Sequence, residues 1–82
     1  MKKIKRELKI IEQDNGAMIF DKSRGIYFQV NHVGRLLING LGEGKNRNEL
    51  VAELEQTFGL ESAHAEKDVN EFFLMLREVG LA

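Results

Sequence analysis

Residues 25–31 read Gly-Ile-Tyr-Phe-Gln-Val-Asn, and this stretch decides the fold. Ile26, Tyr27, Phe28 and Val30 are β-branched or aromatic types that suit a pleated surface, so the stretch reads as a strand. Asn31 closes it, because an asparagine oxygen at a helix N-cap accepts a hydrogen bond from an orphan backbone N–H. The sequence before Asn31 can pair as sheet, and the sequence after it is patterned for helices. The strand is therefore expected to be the last of its sheet, with an open edge that carries the work of the molecule.

Working backwards, Ile4, Leu8 and Ile10 alternate with polar neighbours between Ile4 and Ile11, the period of a half-buried strand. Gln13-Asp14-Asn15-Gly16 has turn chemistry, since Asn and Gly tolerate positive φ. Ala17-Met18-Ile19-Phe20 forms a second strand, and the polar run Asp21-Lys22-Ser23-Arg24 leads through Gly25 into the third. Three strands in an antiparallel meander cannot stand alone and need a layer packed on one face.

Working forwards, Val33, Leu36, Leu37 and Leu41 recur at helical spacing behind Asn31. Gly34 inside this helix costs about 1 kcal/mol against Ala, which points to close approach of another backbone. Gly40, Gly42 and Gly44 end it without the Lys-Ser/Thr of a phosphate loop. Asn46-Arg47-Asn48-Glu49 fits a capping box, and Leu50, Val51, Leu54 and Phe58 form the expected buried stripe of a second helix, stopped at Gly59. Ser62 is the expected cap of a third helix running to Glu78 or Val79 and ending at Gly80. Val69, Phe72, Phe73 and Leu76 make its core stripe, Met75 and Val79 flank that stripe beside Asp68, and Leu74 faces away. That surplus of apolar surface fits either a widely spread core or the wall of a groove, where a flexible methionine adapts to a bound segment.

Composition narrows the function. An 82-residue chain with 43% apolar residues, 30% charged residues and no cysteine reads as one domain, residues 1–82, whose core holds without disulfides or thiolate zinc. Its longest apolar run is too short for a membrane span, and no apolar segment follows Lys2, Lys3, Lys5, Arg6 and Lys9 as a secretory signal would require. A cytoplasmic protein with no membrane partner is expected. His32 and His64 lack companions at metal-ligand spacing, and Ser23 and Ser62 lack nucleophile-elbow glycines. No catalytic residue, cofactor or metal is therefore expected, and the chain does not read as an enzyme. A duplex-binding winged helix would need a basic recognition helix, whereas the second helix sets Arg47 against Glu49, Glu53 and Glu55. Nucleic acid is not an expected partner. A dimerising structural subunit stays open, because unpaired strand edges also pair with themselves, and a monomer is equally compatible.

The ordered set Gly25, Tyr27, Val30, Asn31, Gly34, Leu41, Gly44, Phe58, Asp68, Val69, Phe72, Leu76, Gly80 and Leu81 resembles the PqqD-like peptide chaperones. These are also called recognition elements of ribosomally made, post-translationally modified peptides. The resemblance runs from Asn15 onward and rests on the order of residues rather than on any single motif. It implies an α+β winged helix-turn-helix, three antiparallel strands followed by three helices, the order read independently above. It implies further that the leader segment of a precursor peptide adds antiparallel to the third strand, with side chains in a groove against the third helix. The site implied is Gly25, Ile26, Tyr27, Phe28, Gln29 and Val30 along the strand, with Asp68, Phe72, Met75, Leu76 and Val79 on the helix. Periodicity leaves open which of Phe72 and Phe73 faces the groove. The basic N-terminus would favour an acidic leader. As a separate small chain it is most similar to the stand-alone form that serves a lasso-peptide protease and cyclase. An accessory chaperone of a radical enzyme is the alternative.

Overall fold

The computed structural model describes residues 8–81. Three strands come first, β1 (Leu8–Gln13), β2 (Gly16–Asp21) and β3 (Ile26–Val30), then three helices, α1 (His32–Gly42), α2 (Arg47–Phe58) and α3 (Ser62–Glu78). The α+β order expected from the sequence is the order observed. Ile4 and most of the basic N-terminal residues lie outside the described residues, and β1 continues past Ile11 to Gln13.

The sheet is antiparallel in the order β1-β2-β3, so β2 is central and β3 is an edge. Gln13 faces Gly16 across a turn of Asp14 and Asn15, and Ile19 stands between Ile10 and Phe28. Alternation then sends Ala17, Ile19 and Asp21 inward, where all three are buried completely. The opposite face meets solvent, and there Tyr27 stacks on Phe20 with ring centroids 4.5 Å apart.

The helices form the second layer. Leu37, Ile38 and Leu41 of α1, Leu50, Val51 and Leu54 of α2, and Ala65, Val69, Phe72 and Leu76 of α3 join Ala17 and Ile19 in one core. Asn31 caps α1 as expected, its side chain accepting from the Gly34 N–H at 2.9 Å. The capping box of α2 is complete: Asn46 Oδ1 accepts from the Glu49 N–H and Glu49 Oε1 accepts from the Asn46 N–H, each at 2.9 Å. Gly59 ends α2 in the left-handed conformation.

Two expectations fail at helix ends. Phe58, expected in the buried stripe, is 40% exposed, because it is the final residue of α2 and the chain turns away at once. Ser62 does not cap α3: Glu61 holds that position without a side-chain bond, and the Ser62 hydroxyl donates to the Glu55 carboxylate instead. A serine hydroxyl satisfied across the α2–α3 junction is no longer available to the helix start.

Two glycines set where β3 ends relative to its neighbours. A Cβ on Gly16 would stand 1.9 Å from the Val30 carbonyl oxygen, and one on Gly34 would stand 2.7 Å from Val30 Cβ. Real carbon atoms do not approach that closely, so both positions exclude a side chain. Val30 is thereby lodged between the start of β2 and the first turn of α1. That placement fixes the floor of the site.

Candidate functional site: the groove between the third strand and the third helix

β3 and α3 lie side by side with their backbones apart. No Cα of β3 comes within 8 Å of a Cα of α3, while α1 packs against both. The gap is a groove of about 310 Å³, lined by Gln29, Val30 and Asn31 from the end of β3, Val33, Gly34 and Leu37 from α1, and Asp68, Glu71, Phe72 and Met75 from α3. Its floor is formed by Val33, Gly34 and Leu37, and its helical wall sets the apolar Phe72 and Met75 beside the carboxylates of Asp68 and Glu71. Along its other side runs β3, whose outer edge pairs with no described strand. In an antiparallel ladder alternate residues direct N–H and C=O away from the partner strand, so this edge presents backbone donors and acceptors to an incoming chain.

A polar clamp ties the two walls together at the far end. Asp21 is buried completely, and its Oδ1 accepts from the Ser23 N–H at 3.0 Å and the Ser23 hydroxyl at 2.7 Å. Arg24 Nε donates to Asp21 Oδ2 at 2.8 Å, and its terminal nitrogen donates to the Val79 carbonyl. The Ser23 hydroxyl bond, then the Arg24 bond, lower the Asp21 pKa from its ordinary 3.8 to about 2 despite burial. The β2–β3 turn is thus held to the last turn of α3. Periodicity showed Asp21-Lys22-Ser23-Arg24 only as a polar loop, and the clamp's partner lies 55 residues away from Arg24.

The structure brings together part of the residue set that the sequence singled out. Val30, Gln29, Asp68, Phe72 and Met75 line the groove. Between the two adjacent phenylalanines, Phe72 lines it, while Phe73 is half-buried alongside with ring centroids 6.0 Å apart. Ile26, Tyr27 and Phe28 supply ladder backbone, but Tyr27 turns to the solvent face and Phe28 to the core. The Gln29 amide also turns away, donating to Gln13 Oε1 at 2.8 Å. Leu76 has no exposed surface, as its place in the core stripe predicts, and is not among the lining residues. Gly25 sits in the turn before β3, its N–H donating to the Asp21 carbonyl at 2.8 Å. Val79 lies at the clamped end, outside the lining.

Asn31, Val33, Gly34, Leu37 and Glu71 were not singled out as site residues. The first turns of α1 looked like a helix start and core stripe, and nothing in their spacing shows that the helix floors a gap between two other elements. Glu71 follows Asp68 by three, the spacing of one helix face, so it was the one recoverable from sequence.

Among the described residues no cluster of three His, Asp or Glu side chains could hold a metal ion, and no helix is long and apolar enough to cross a membrane. Comparison with curated proteins gives no match. Two solved structures share the fold. One is TbiB1 in complex with the TbiA(β) leader peptide, at TM-score 0.84 and 24% identity, covering 98% of this chain and 93% of that one. The other is lasso peptide synthetase B1 complexed with the leader peptide, at TM-score 0.77 and 25% identity, covering 92% and 88%. The family model for coenzyme PQQ synthesis protein D (PqqD) matches residues 16–82. With that match running from the first residue of β2 through every element around the groove, the chain belongs to the PqqD family.

Proposed function

We propose that this chain is a non-catalytic recognition domain that captures the leader segment of a ribosomally made precursor peptide. The segment adds as a strand along β3, places alternate side chains in the groove against α3, and is presented to a leader protease and cyclase of the lasso-peptide type. The observation that carries this reading is the outer edge of β3, unpaired among the described strands, running beside a groove that offers apolar side chains from α1 and α3. In strand addition, backbone hydrogen bonds supply affinity and alternate side-chain pockets supply selectivity, and the two surfaces stand together here. The likeness to a lasso peptide synthetase B1 complexed with a leader peptide supports the choice of ligand. A ribosomally made peptide is first met in the cytoplasm, and we place the protein there.

The family description favours a second pathway, in which the same capture serves an enzyme of coenzyme PQQ synthesis. The reading frames next to the gene discriminate: a short precursor beside a protease and cyclase fits the first, a radical enzyme the second. Duplex DNA binding has little support, since Arg47 donates to Asn70 Oδ1 at 2.9 and 3.2 Å and so serves the α2–α3 contact.

Amide hydrogen exchange tests the capture. Leader segments from neighbouring short reading frames should slow exchange at alternate amides of β3, those directed outward, while leaving β1 unchanged. Binding that protects some other surface, or no binding to any such leader, overturns the proposal.

A further inference from the structure

The charged groups that line the groove have one sign. Asp68 and Glu71 are its two ionisable lining residues, and both are carboxylates on the same face of α3. No lysine or arginine is among the lining residues. Asp68 is half-buried, with its side chain 21% exposed, and its neighbour is His64 Nε2 at 3.5 Å on the outer flank of the same helix. Glu71 has no ion-pair partner among the described residues. Arg24, at the clamped end of β3 and α3, is engaged by Asp21 and the Val79 carbonyl. Two carboxylates beside Phe72 and Met75, with no lysine or arginine among the described residues lining the groove, leave a negative patch at the end where β3 stops and α1 begins.

We infer that the groove selects a segment bearing a lysine or arginine, held by Asp68 and Glu71, shortly before an apolar residue that fills the space beside Phe72 and Met75. This rests on the capture reading and adds the charge and order of the ligand. An acidic side chain there meets like charge in a partly desolvated cleft, so an acidic leader, the expectation from the basic N-terminus, is disfavoured at this position.

Order follows from topology. The clamp joins the start of β3 to the end of α3, so the strand and the helix run in opposite directions. A segment added antiparallel to β3 therefore runs with α3 and meets Asp68 before Met75. Seven residues separate those two, roughly 10 Å of helix. A strand advances roughly 3.4 Å per residue and shows every second side chain to one face, so the cation precedes the apolar anchor by about two to four positions, an even number.

Random peptides displayed on phage and selected on the purified full chain provide the test. Enriched sequences should carry Lys or Arg at that even offset before an apolar residue. In a synthetic copy of such a peptide, replacing the cation by Glu should weaken binding about tenfold by fluorescence anisotropy, with the contrast shrinking as salt rises. The double variant Asp68→Asn/Glu71→Gln should lose the preference, and Glu71→Lys should shift it towards acidic peptides. The peptide-side substitution uses the unaltered protein, so the test stands even where a variant folds poorly. Enriched peptides that protect β3 yet show no charge bias overturn this inference and leave the capture reading standing. A selection with no enrichment overturns both.

Discussion

The Arg24 guanidinium donates a hydrogen bond to the Val79 backbone carbonyl, joining the turn before β3 to the end of α3. The same side chain holds the buried Asp21 carboxylate at 2.8 Å. One residue therefore ties the start of β3 to the end of α3, while Val30, lodged between Gly16 and Gly34, seats the other end of β3 on α1, the floor of the groove.

Arg24→Ala should lower the urea midpoint without changing the denaturant slope, since it leaves a buried carboxylate short of a partner in an otherwise intact fold. Peptide affinity should fall roughly fivefold, the effect of about 1 kcal/mol of lost preorganisation between the walls. Unfolding and anisotropy titrations measure both, and an unchanged midpoint removes the clamp from the account.

Acid should act through Asp21 in a defined window. Its pKa is lowered to about 2 in the folded state from an ordinary 3.8, so its stabilisation is complete above the higher value. That contribution is lost as pH falls from about 4 towards about 2, where the folded form takes up the proton. Urea midpoints measured against pH for the wild type and Asp21→Asn should differ above this window and converge below it. Parallel curves would assign the acid sensitivity to other carboxylates.

Two glycines of α1 should respond oppositely to alanine. At Gly34 the new methyl collides with Val30, and overpacking of about 1–3 kcal/mol outweighs the gain of about 1 kcal/mol in helix propensity. At Gly42 nothing lies within 4 Å, so the substitution should be neutral or stabilising by up to about 1 kcal/mol. Thermal midpoints decide, and Gly34→Ala should also weaken peptide binding because Val30 lines the groove. Equal effects at both positions would mean that close approach is not what requires Gly34.

Met75→Glu should weaken peptide capture by more than about tenfold, because a carboxylate resists desolvation against an apolar ligand. Stability should change by less than about 1 kcal/mol, since Met75 is only half-buried and exposed sites tolerate polar groups. Leu74→Glu is the matched control, one residue away, 55% exposed and outside the groove lining. Equal affinity for the two variants would remove Met75 from the binding surface.

Local chemistry made much of this legible in the chain itself. The β-branched and aromatic residues of 26–30, the asparagine caps at 31 and 46, and Gly59 each act within a few residues, so they show in the linear order. The misjudged residues lie where a distant element intervenes. Ser62 turned to Glu55, and Phe58 was left at a helix tip.

By itself the sequence determined three strands followed by three helices, the edge position of the third strand, and which faces are apolar, since periodicity and caps are written residue by residue. Only the tertiary structure decided that α1 floors a gap between β3 and α3, that Arg24 reaches Val79, and that Asp68 and Glu71 face that gap together. The width of a groove is a distance between elements far apart in the chain. It emerges from contacts such as Gly34 against Val30 and Arg24 against Val79, and no local pattern encodes it.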